Sequence, residues 1–453
     1  MSTLSRTCLW GWGRTNPTVA DEVTVTVDGL AAAVKEAGRR GVLARGLGRS
    51  YGDAAQNGGG VVIRLASGAG DIVLDQAIGV VTVGAGVSID ELLRVLVPRG
   101  FFVPVTPGTR FVTIGGAIAS DIHGKNHHVD GSIGKHIESI TMMLADGSTS
   151  TVGPDSNPAL FWATVGGMGL TGIMLDARLR LIPIETSRMR VDTTRIADLD
   201  ELFATMSSGD DDVRYSVAWI DLVAKGRHLG RSVLSRGDHA RLADLDARQA
   251  VAPLDYDPHQ LVAVPPVVPP MGVLNHASVA GFNELWFRKA PVHRVGEVQG
   301  LGYFFHPLDL VGSWNRLYGR RGMVQYQFVV PFGQEEAMRT VVERLSASGA
   351  ASFLAVLKRF GEANPAPLSF PRAGWTLALD LPGASRGLGD LLHSLDRVVL
   401  DAGGRHYFAK DAHTTPDAVR RGYPRLDEWK SVRDEVDPRR IWQSDLGRRL
   451  GLI

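Results

Sequence analysis

Cysteine is nearly absent: Cys8 is the one thiol in 453 residues. No internal disulfide can close, and no Cys-ligated iron–sulfur cluster or zinc–thiolate site can be assembled. This suits a reducing compartment. An excess of either charge is also lacking. Lys and Arg total 49 against 48 Asp and Glu, a formal net charge of +1, which gives no support for nucleic acid as the main partner. The opening MSTLSRTCLWGWGRT has no apolar run of the kind that marks a secretion signal. No stretch reads as a membrane span either. The longest charge-free run, 258–283, contains Pro265, Pro266, Pro269 and Pro270, and that much proline cannot continue a spanning helix. The expected location is therefore cytoplasmic or peripheral at the cell envelope.

What remains is an ordinary globular composition in a chain long enough for two or three domains. The first 185 or so residues are rich in glycine and alternate short strands with helices. VTVTV (23–27) reads as a strand, and Asp28 then caps a helix to about Gly38. VLAR (42–45) and VVTVGAG (80–86) are further strands. Ser88 and Glu91 form a capping box, and Ile89, Leu92, Leu93 and Leu96 give the helix after it one apolar face that Gly100 ends. Beyond about Pro183 the texture changes to longer, aromatic-bearing strands: RYSVAWI, MVQYQFVV, SFLAVLKRF and GWTLALDLP, with helices at 199–206 and Glu335–Ser348 between them. The expected architecture is α+β, with a large mixed or antiparallel sheet in the second domain. A Pro-rich loop at about 253–274 interrupts it, and a basic helical tail begins near Gly403.

Three Gly-rich segments recur in the first domain. Arg45-Gly46-Leu47-Gly48-Arg49-Ser50-Tyr51-Gly52-Asp53 follows a strand and can offer several backbone N–H groups to a phosphate. Its spacing is not the dinucleotide fingerprint, and no amphipathic helix follows, so a tight turn without ligand stays open. PGTR with VTIGGAIA, and FWATVGGMGLTGI, are the other two. In DIHGKNHH, His123, His127 and His128 lack the His-x-x-x-His spacing and Glu partner of a zinc helix, so no metal is expected; surface histidines without a role stay open. Period two in VQYQF sets Gln325 and Gln327 on one strand face and Tyr326 and Phe328 on the other. If the glutamines face inward, their amides need partners. Lys358 in LAVLKRF reads as a snorkelling surface lysine, and Lys410, in the strand-like run YFAKDAHTT, as a solvated one.

Taken together, ARGLGRSYGDAAQNGGG, PGTR, VTIGGAIASDIHGKNHH, LFWATVGGMGLTGI, FHPLD, QYQFVVP, APLSFP and the tail YPRLDEW with VDPRRIWQSDLGRRL resemble the flavoprotein family of vanillyl-alcohol oxidase and the aldonolactone and alditol oxidases. DIHGKNHH and QYQF are similar to its decaprenylphosphoryl-β-D-ribose 2′-oxidase branch. The resemblance spans essentially the whole chain. It implies a two-domain FAD fold, with a bipartite FAD domain (1–186 and 404–453) around a substrate domain (187–403). It implies FAD contacts at Ala44, Arg45, Gly46, Leu47, Gly48, Arg49, Ser50, Tyr51, Gly52, Asp53, Ala54, Gly108, Thr113, Ile114, Gly115, Gly116, Ser120, Asp121, Ile122, His123, Met174 and Tyr407. Arg49 stands where covalent members carry the histidine that bonds the flavin, so the flavin should be held by contacts alone. The resemblance assigns substrate contacts to Lys125, Trp219, Gln325, Gln327, Lys358 and Ala378, and catalysis to Lys410 with Tyr51 and His123. Many mycobacterial relatives carry cysteine at Ala378, where it is an inhibitor target and not a required catalytic group. The implied reaction is oxidation of the 2′-hydroxyl of a polyprenylphosphoryl-β-D-ribose, the first half of an epimerisation that serves cell-wall arabinan. An NADH- or NADPH-dependent reductase is the implied partner, with a peripheral membrane contact. An alditol or aldonolactone oxidase using O2, and a non-catalytic binder of lipid-linked sugar, are the alternatives. Some relatives are periplasmic, and that placement stays open. The Pro-rich loop is expected to be mobile and to shield the lipid side of the pocket.

Overall fold

A computed structural model describes residues 4–35, 38–66, 71–270, 272–350 and 352–453. Residues 1–3 of the opening segment, Glu36 and Ala37 of the first predicted helix, and Met271 of the Pro-rich loop lie outside the described residues.

Two small sheets and one large one organise the chain. The first runs Ser5–Leu9, Thr18–Val25, Val61–Leu65, Val42–Ala44, and its last three strands are parallel. The second, Ile72–Asp75, Val80–Gly84, Ile173–Arg180, Ile137–Met143, Thr149–Val152, is antiparallel throughout. Helices Ile89–Leu96 and Ile114–Ala119 share a core cluster with this second sheet. The predicted capping box is present, and all four residues of the apolar face are buried. A 3-10 turn, Val97–Arg99, prolongs the helix, and Gly100 closes it in the left-handed region at φ 78°. The first helix begins at Val27, so Asp28 lies inside its first turn and is not its cap. The strand before it runs out of partner at Val25, which pairs with Leu65, and the chain turns there.

The large sheet has eight strands, all antiparallel: His293–Gly300, Arg188–Ile196, Ser232–His239, Tyr215–Ile220, Ala355–Phe360, Gly374–Pro382, Met323–Val330, Arg405–His406. Period two decides its two faces. Ala218, Ile220, Tyr326, Phe328, Ala355, Leu357, Trp375, Leu377 and Leu379 pack under the helices Leu199–Gly209, Glu335–Ser348 and Leu388–Asp401. Their sequence neighbours point the other way, toward the Gly-rich loops. The tail also returns to those loops. Val42 bridges Trp442, Asp445 accepts from Gly58 N–H at 2.9 Å, and Arg449 forks onto Asp53 at 2.7 and 2.8 Å.

Two further local readings differ. Lys410 ends a 3-10 turn, Phe408–Lys410, and not a strand, because pairing with the 323–330 strand stops at His406. The Pro-rich loop is tied to the segment 310–312. Leu261 N–H donates to Leu310 O at 2.9 Å, Val264 N–H to Gly312 O at 2.8 Å, and Val262–Ala263 pairs in parallel with Val311–Gly312. The helix that follows it, His276–Lys289, was not foreseen.

Candidate active site

Between the polar face of the large sheet and the Gly-rich loops lies a cavity of about 1120 Å³. Its loop side is built on close backbone approach. A Cβ at Gly46 would stand 2.2 Å from Thr113 Oγ1, so only glycine lets the first loop touch the second. Thr113 caps the helix Ile114–Ala119, its hydroxyl accepting from Gly116 N–H at 3.2 Å. Ala44, Arg45, Gly46, Leu47, Gly48, Arg49, Ser50, Tyr51, Ala54, Gly108, Thr113, Gly115, Gly116, Ser120, Ile122, His123, Met174 and Tyr407 all line this cavity. Gly52, Asp53, Ile114 and Asp121 stand behind the wall. Gly52 lies against Asp411 O, Asp53 holds Arg449, and Ile114 is core. Asp121 accepts from Ser132, Gly134 N–H, Asn364 and Ser369.

The sheet side presents Trp219, Gln325, Gln327, Lys358 and Ala378, and Lys125 joins them from the DIHGKNHH segment. Gln325 pairs with Asp380 and Gln327 with Ala378 in register, so these four share one patch of floor. The Gln327 amide donates to His123 Nε2 at 2.9 Å and to Thr376 Oγ1 at 3.3 Å. Because Nε2 accepts, the His123 proton sits on Nδ1, which is buried and has no protein partner. Trp219 Nε1 is spent on Phe353 O at 3.1 Å, so it offers the cavity its ring. Lys125 donates to Phe304 O and lies 4.2 Å from the Phe304 ring centroid. Lys410 Nζ stands 4.1 Å above the Tyr51 ring, and Tyr51 N–H donates to Ala409 O at 2.9 Å. The tail and the first Gly-rich loop therefore meet at the catalytic candidates.

Burial dominates the electrostatics. It pushes Lys358 down to about 8, and with Lys358 beside it Lys125 falls to about 7. Lys410 is also pushed down by burial, with Asp380 opposing and Lys358 adding to the shift. His123 is held well below its usual value by burial, then by the Lys358 charge, and stays neutral. Burial raises the Tyr51 phenol, keeping it protonated. The histidines of DIHGKNHH are not a surface cluster: His123 and His127 are buried, and among the described residues no group of His, Cys, Asp and Glu could hold a metal.

Several lining residues escaped the sequence. Trp12 stacks under the Arg49 guanidinium at 4.0 Å, and Trp314 packs edge-on to Trp12 at 5.9 Å. Tyr303 and Phe304 close another side. None has a local signal. Asp380, which stands behind the lining, does have one: it is a carboxylate in an apolar strand, on the same period-two face as Ala378. It is fully buried, accepts from Gln325, and its Oδ2 has no partner. Burial raises its carboxyl. Elsewhere, Asp309 of FHPLD accepts from Thr109 Oγ1 at 2.7 Å and Arg110 N–H at 2.8 Å, and His306 meets Thr106 Oγ1 at 2.8 Å. These bonds latch the substrate side onto the PGTR loop.

Comparison with known proteins adds independent findings. Residues 23–153 match the FAD binding domain family, and residues 385–450 match that of D-arabinono-1,4-lactone oxidase. The chain is 46% identical, over 98% of its length and 97% of the relative, to decaprenylphosphoryl-beta-D-ribose oxidase of Mycolicibacterium smegmatis. It is 39% identical to an uncharacterised protein of Streptomyces coelicolor, over 81% of this chain and all of that one. An alditol oxidase of a Streptomyces species is 27% identical over 32% of this chain and 34% of its own. The cavity fits FAD on its own terms. Glycine backbone forms the wall where a Cβ at position 46 would collide, and His123 Nδ1 is a buried donor with nothing in the protein to receive it.

Proposed function

The chain belongs to the decaprenylphosphoryl-beta-D-ribose oxidase family of FAD-dependent oxidoreductases, and from that membership we propose that it oxidises the 2′-hydroxyl of a polyprenylphosphoryl-β-D-ribose to the ketone. The observation that supports this reading best is the composition of one cavity: Lys125, Lys358 and Lys410 with Gln325 and Gln327 opposite the Gly-rich loops. Lysines suit a phosphate, and paired amides suit sugar hydroxyls. Residues 1–186 and 404–453 form the FAD domain in this reading, and 187–403 form the substrate domain.

FAD, when bound, supplies the acceptor for the hydride that leaves the sugar carbon. The loops at 44–54, 108 and 113–116, with His123, Met174 and Tyr407, hold it. Arg49 offers no imidazole to bond it, so contacts alone retain it. Lys125 and Lys358 receive the phosphate. Gln325 and Gln327 orient the ribose hydroxyls over the sheet floor, with Trp219 as an apolar wall. As the carbon loses hydride, the hydroxyl proton must leave as well, and Lys410 takes it. The Tyr51 phenol, protonated and under Lys410, steadies the developing alkoxide. The 2′-keto product then needs reduction to complete epimerisation toward the arabinose donor of cell-wall arabinan, which makes an NADH- or NADPH-dependent reductase the partner.

Anaerobic addition of substrate to the holoenzyme tests this. Bleaching of flavin absorbance by polyprenylphosphoryl-ribose, and not by free alditols or aldonolactones, is the expected result. Bleaching by free alditols alone would favour an alditol oxidase, and no bleaching by any sugar would favour a carrier.

A further inference from the structure

Asp380 is a buried carboxylate with little to hold it. Its sequence neighbours Leu379 and Leu381 are core, and its own side chain has no access to solvent. Oδ1 accepts from the Gln325 amide across the sheet, and Oδ2 is buried with no protein partner. Other buried carboxylates are better satisfied. Asp53, Asp210 and Asp221 each take an arginine, and Asp121 accepts from Ser132, Gly134 N–H, Asn364 and Ser369. Among the described residues no ion pair of this kind is formed at Asp380. The cluster of Tyr51, Trp314, Tyr318 and Met323 closes this end of the sheet, Met323 lying two residues before Gln325 in its strand. The Tyr318 hydroxyl is buried without a partner as well. The cation whose charge acts on Asp380 is Lys410. The two are not bonded to each other: Lys410 rests on the Tyr51 ring and Asp380 on the Gln325 amide.

We propose that Asp380 is a positioning residue for the oxidation: its carboxylate is the counter-charge for the ammonium that Lys410 becomes on taking the sugar hydroxyl proton, and its Oδ1 fixes the Gln325 amide that orients the sugar. The inference rests on the sugar oxidation proposed above. In that step hydride leaves the sugar carbon for the flavin, and the hydroxyl proton joins the Lys410 amine. The O–H electron pair becomes the second bond of the ketone. A new positive charge therefore appears in a buried site, where Lys358 acts against it and Asp380 acts for it. The Asp380 charge also reaches two phenols. At Tyr51 it adds to burial in raising the phenol, with Asp309 on the same side and Arg49 opposing. At Tyr318 it again adds to burial, together with Tyr51. Both phenols stay protonated, and His123 is neutral, so Lys410 is where the new charge rests. A strand that had only to hold Gln325 would be served by asparagine, which offers the same oxygen without burying a charge. The carboxylate is explained by the cation that forms beside it.

The test is Asp380→Asn, which keeps an oxygen for Gln325 and removes the charge. Two midpoints are measured on the FAD-loaded protein. One is the pH dependence of Lys410 acetylation by acetic anhydride, read by peptide mass spectrometry, since only the neutral amine reacts. The other is the pH dependence of anaerobic flavin reduction. Both midpoints should move to lower pH by about one pH unit or more, because the ammonium has lost its counter-charge. FAD content and the substrate concentration for half-maximal reduction should not change. Asp380→Ala should shift the midpoints and also raise that concentration, because Gln325 is released. Asp380→Glu, which keeps the charge, should return the acetylation midpoint toward wild type. Unmoved midpoints in Asp380→Asn overturn the proposal, and with a flavin that polyprenylphosphoryl-ribose still bleaches they leave the substrate reading standing. Shifted midpoints with a flavin bleached by free alditols alone would keep the counter-charge and remove the lipid-linked ribose. Should Asp380→Asn fail to fold, Lys410→Met gives the reciprocal measurement. Without its cation the Asp380 carboxyl should hold its proton to higher pH, seen as a protonated-carboxyl infrared band that persists there. A band that titrates as in wild type overturns the proposal.

Discussion

At Lys410, burial and the Lys358 charge favour the neutral amine while Asp380 favours the ammonium. Burial is the largest of the three, so the amine loses its proton below the usual lysine range. A base must be neutral to accept a proton. The rate of flavin reduction should therefore rise with pH through this depressed value and level off above it; a pre-steady-state profile measures this directly. Lys410→Ala should keep its FAD and lose flavin reduction by ~100-fold or more if proton transfer is the main contribution. Lys410→Arg retains charge without a tunable base, so substantial activity in it, with a flat pH profile, would identify the lysine as an electrostatic stabiliser. Reduction at the wild-type rate in Lys410→Ala would remove the residue from catalysis. Ala378 belongs to the same scale. It lies opposite Gln327 in register and supplies only a methyl group to the floor, so nothing in the proposed proton transfer depends on it.

Among elements, the contact between the first Gly-rich loop and the cap of helix Ile114–Ala119 carries the wall of the proposed flavin site. Gly46→Ala would place a methyl group 2.2 Å from Thr113 Oγ1 and 3.1 Å from its Cγ2, and neither belongs to a flexible chain that can swing away. Overpacking of this kind costs about 1–3 kcal/mol, and here the strain falls on the loops that line the proposed flavin site. Gly46→Ala is expected to purify with reduced flavin content and a weaker FAD affinity by titration, while far-ultraviolet circular dichroism is unchanged. Adding Thr113→Ala should recover part of the affinity. Full flavin occupancy in Gly46→Ala would show that the two loops separate easily. Local patterns were readable at this scale. The Ser88–Glu91 box and the alternation in VQYQF depend only on neighbours in sequence, and both stand as expected. The 3-10 turn carrying Lys410 was not readable, because the strand before it ends where its pairing with the distant strand Met323–Val330 stops, at His406 opposite Phe328.

Over the whole molecule, the tail is held to the front of the chain by charge. Arg449 forks onto Asp53 and also reaches Asp411 at 2.8 Å, beside Lys410. Both carboxylates are buried. Arg449→Met would strand them, and breaking such a pair costs about 3 kcal/mol. A lower midpoint in thermal unfolding and faster FAD loss on dilution are expected together, since one clamp serves the first Gly-rich loop and the Lys410 turn. A lowered midpoint with unchanged FAD retention would mean that the clamp stabilises the fold without shaping the site. The sequence alone determined which residues share a face in VQYQF, where the helix after Ser88 starts, and that one thiol and balanced charge give no support for metal–thiolate or nucleic-acid chemistry, because periodicity, capping and composition act over a few residues. Only the tertiary structure decided that Lys410 lies over Tyr51, that Asp380 joins Gln325 beneath them, that Trp12 backs Arg49, and that His123 and His127 of DIHGKNHH are buried. Those contacts join residues far apart in the chain, and they form when the tail folds back and the large sheet closes over the loops.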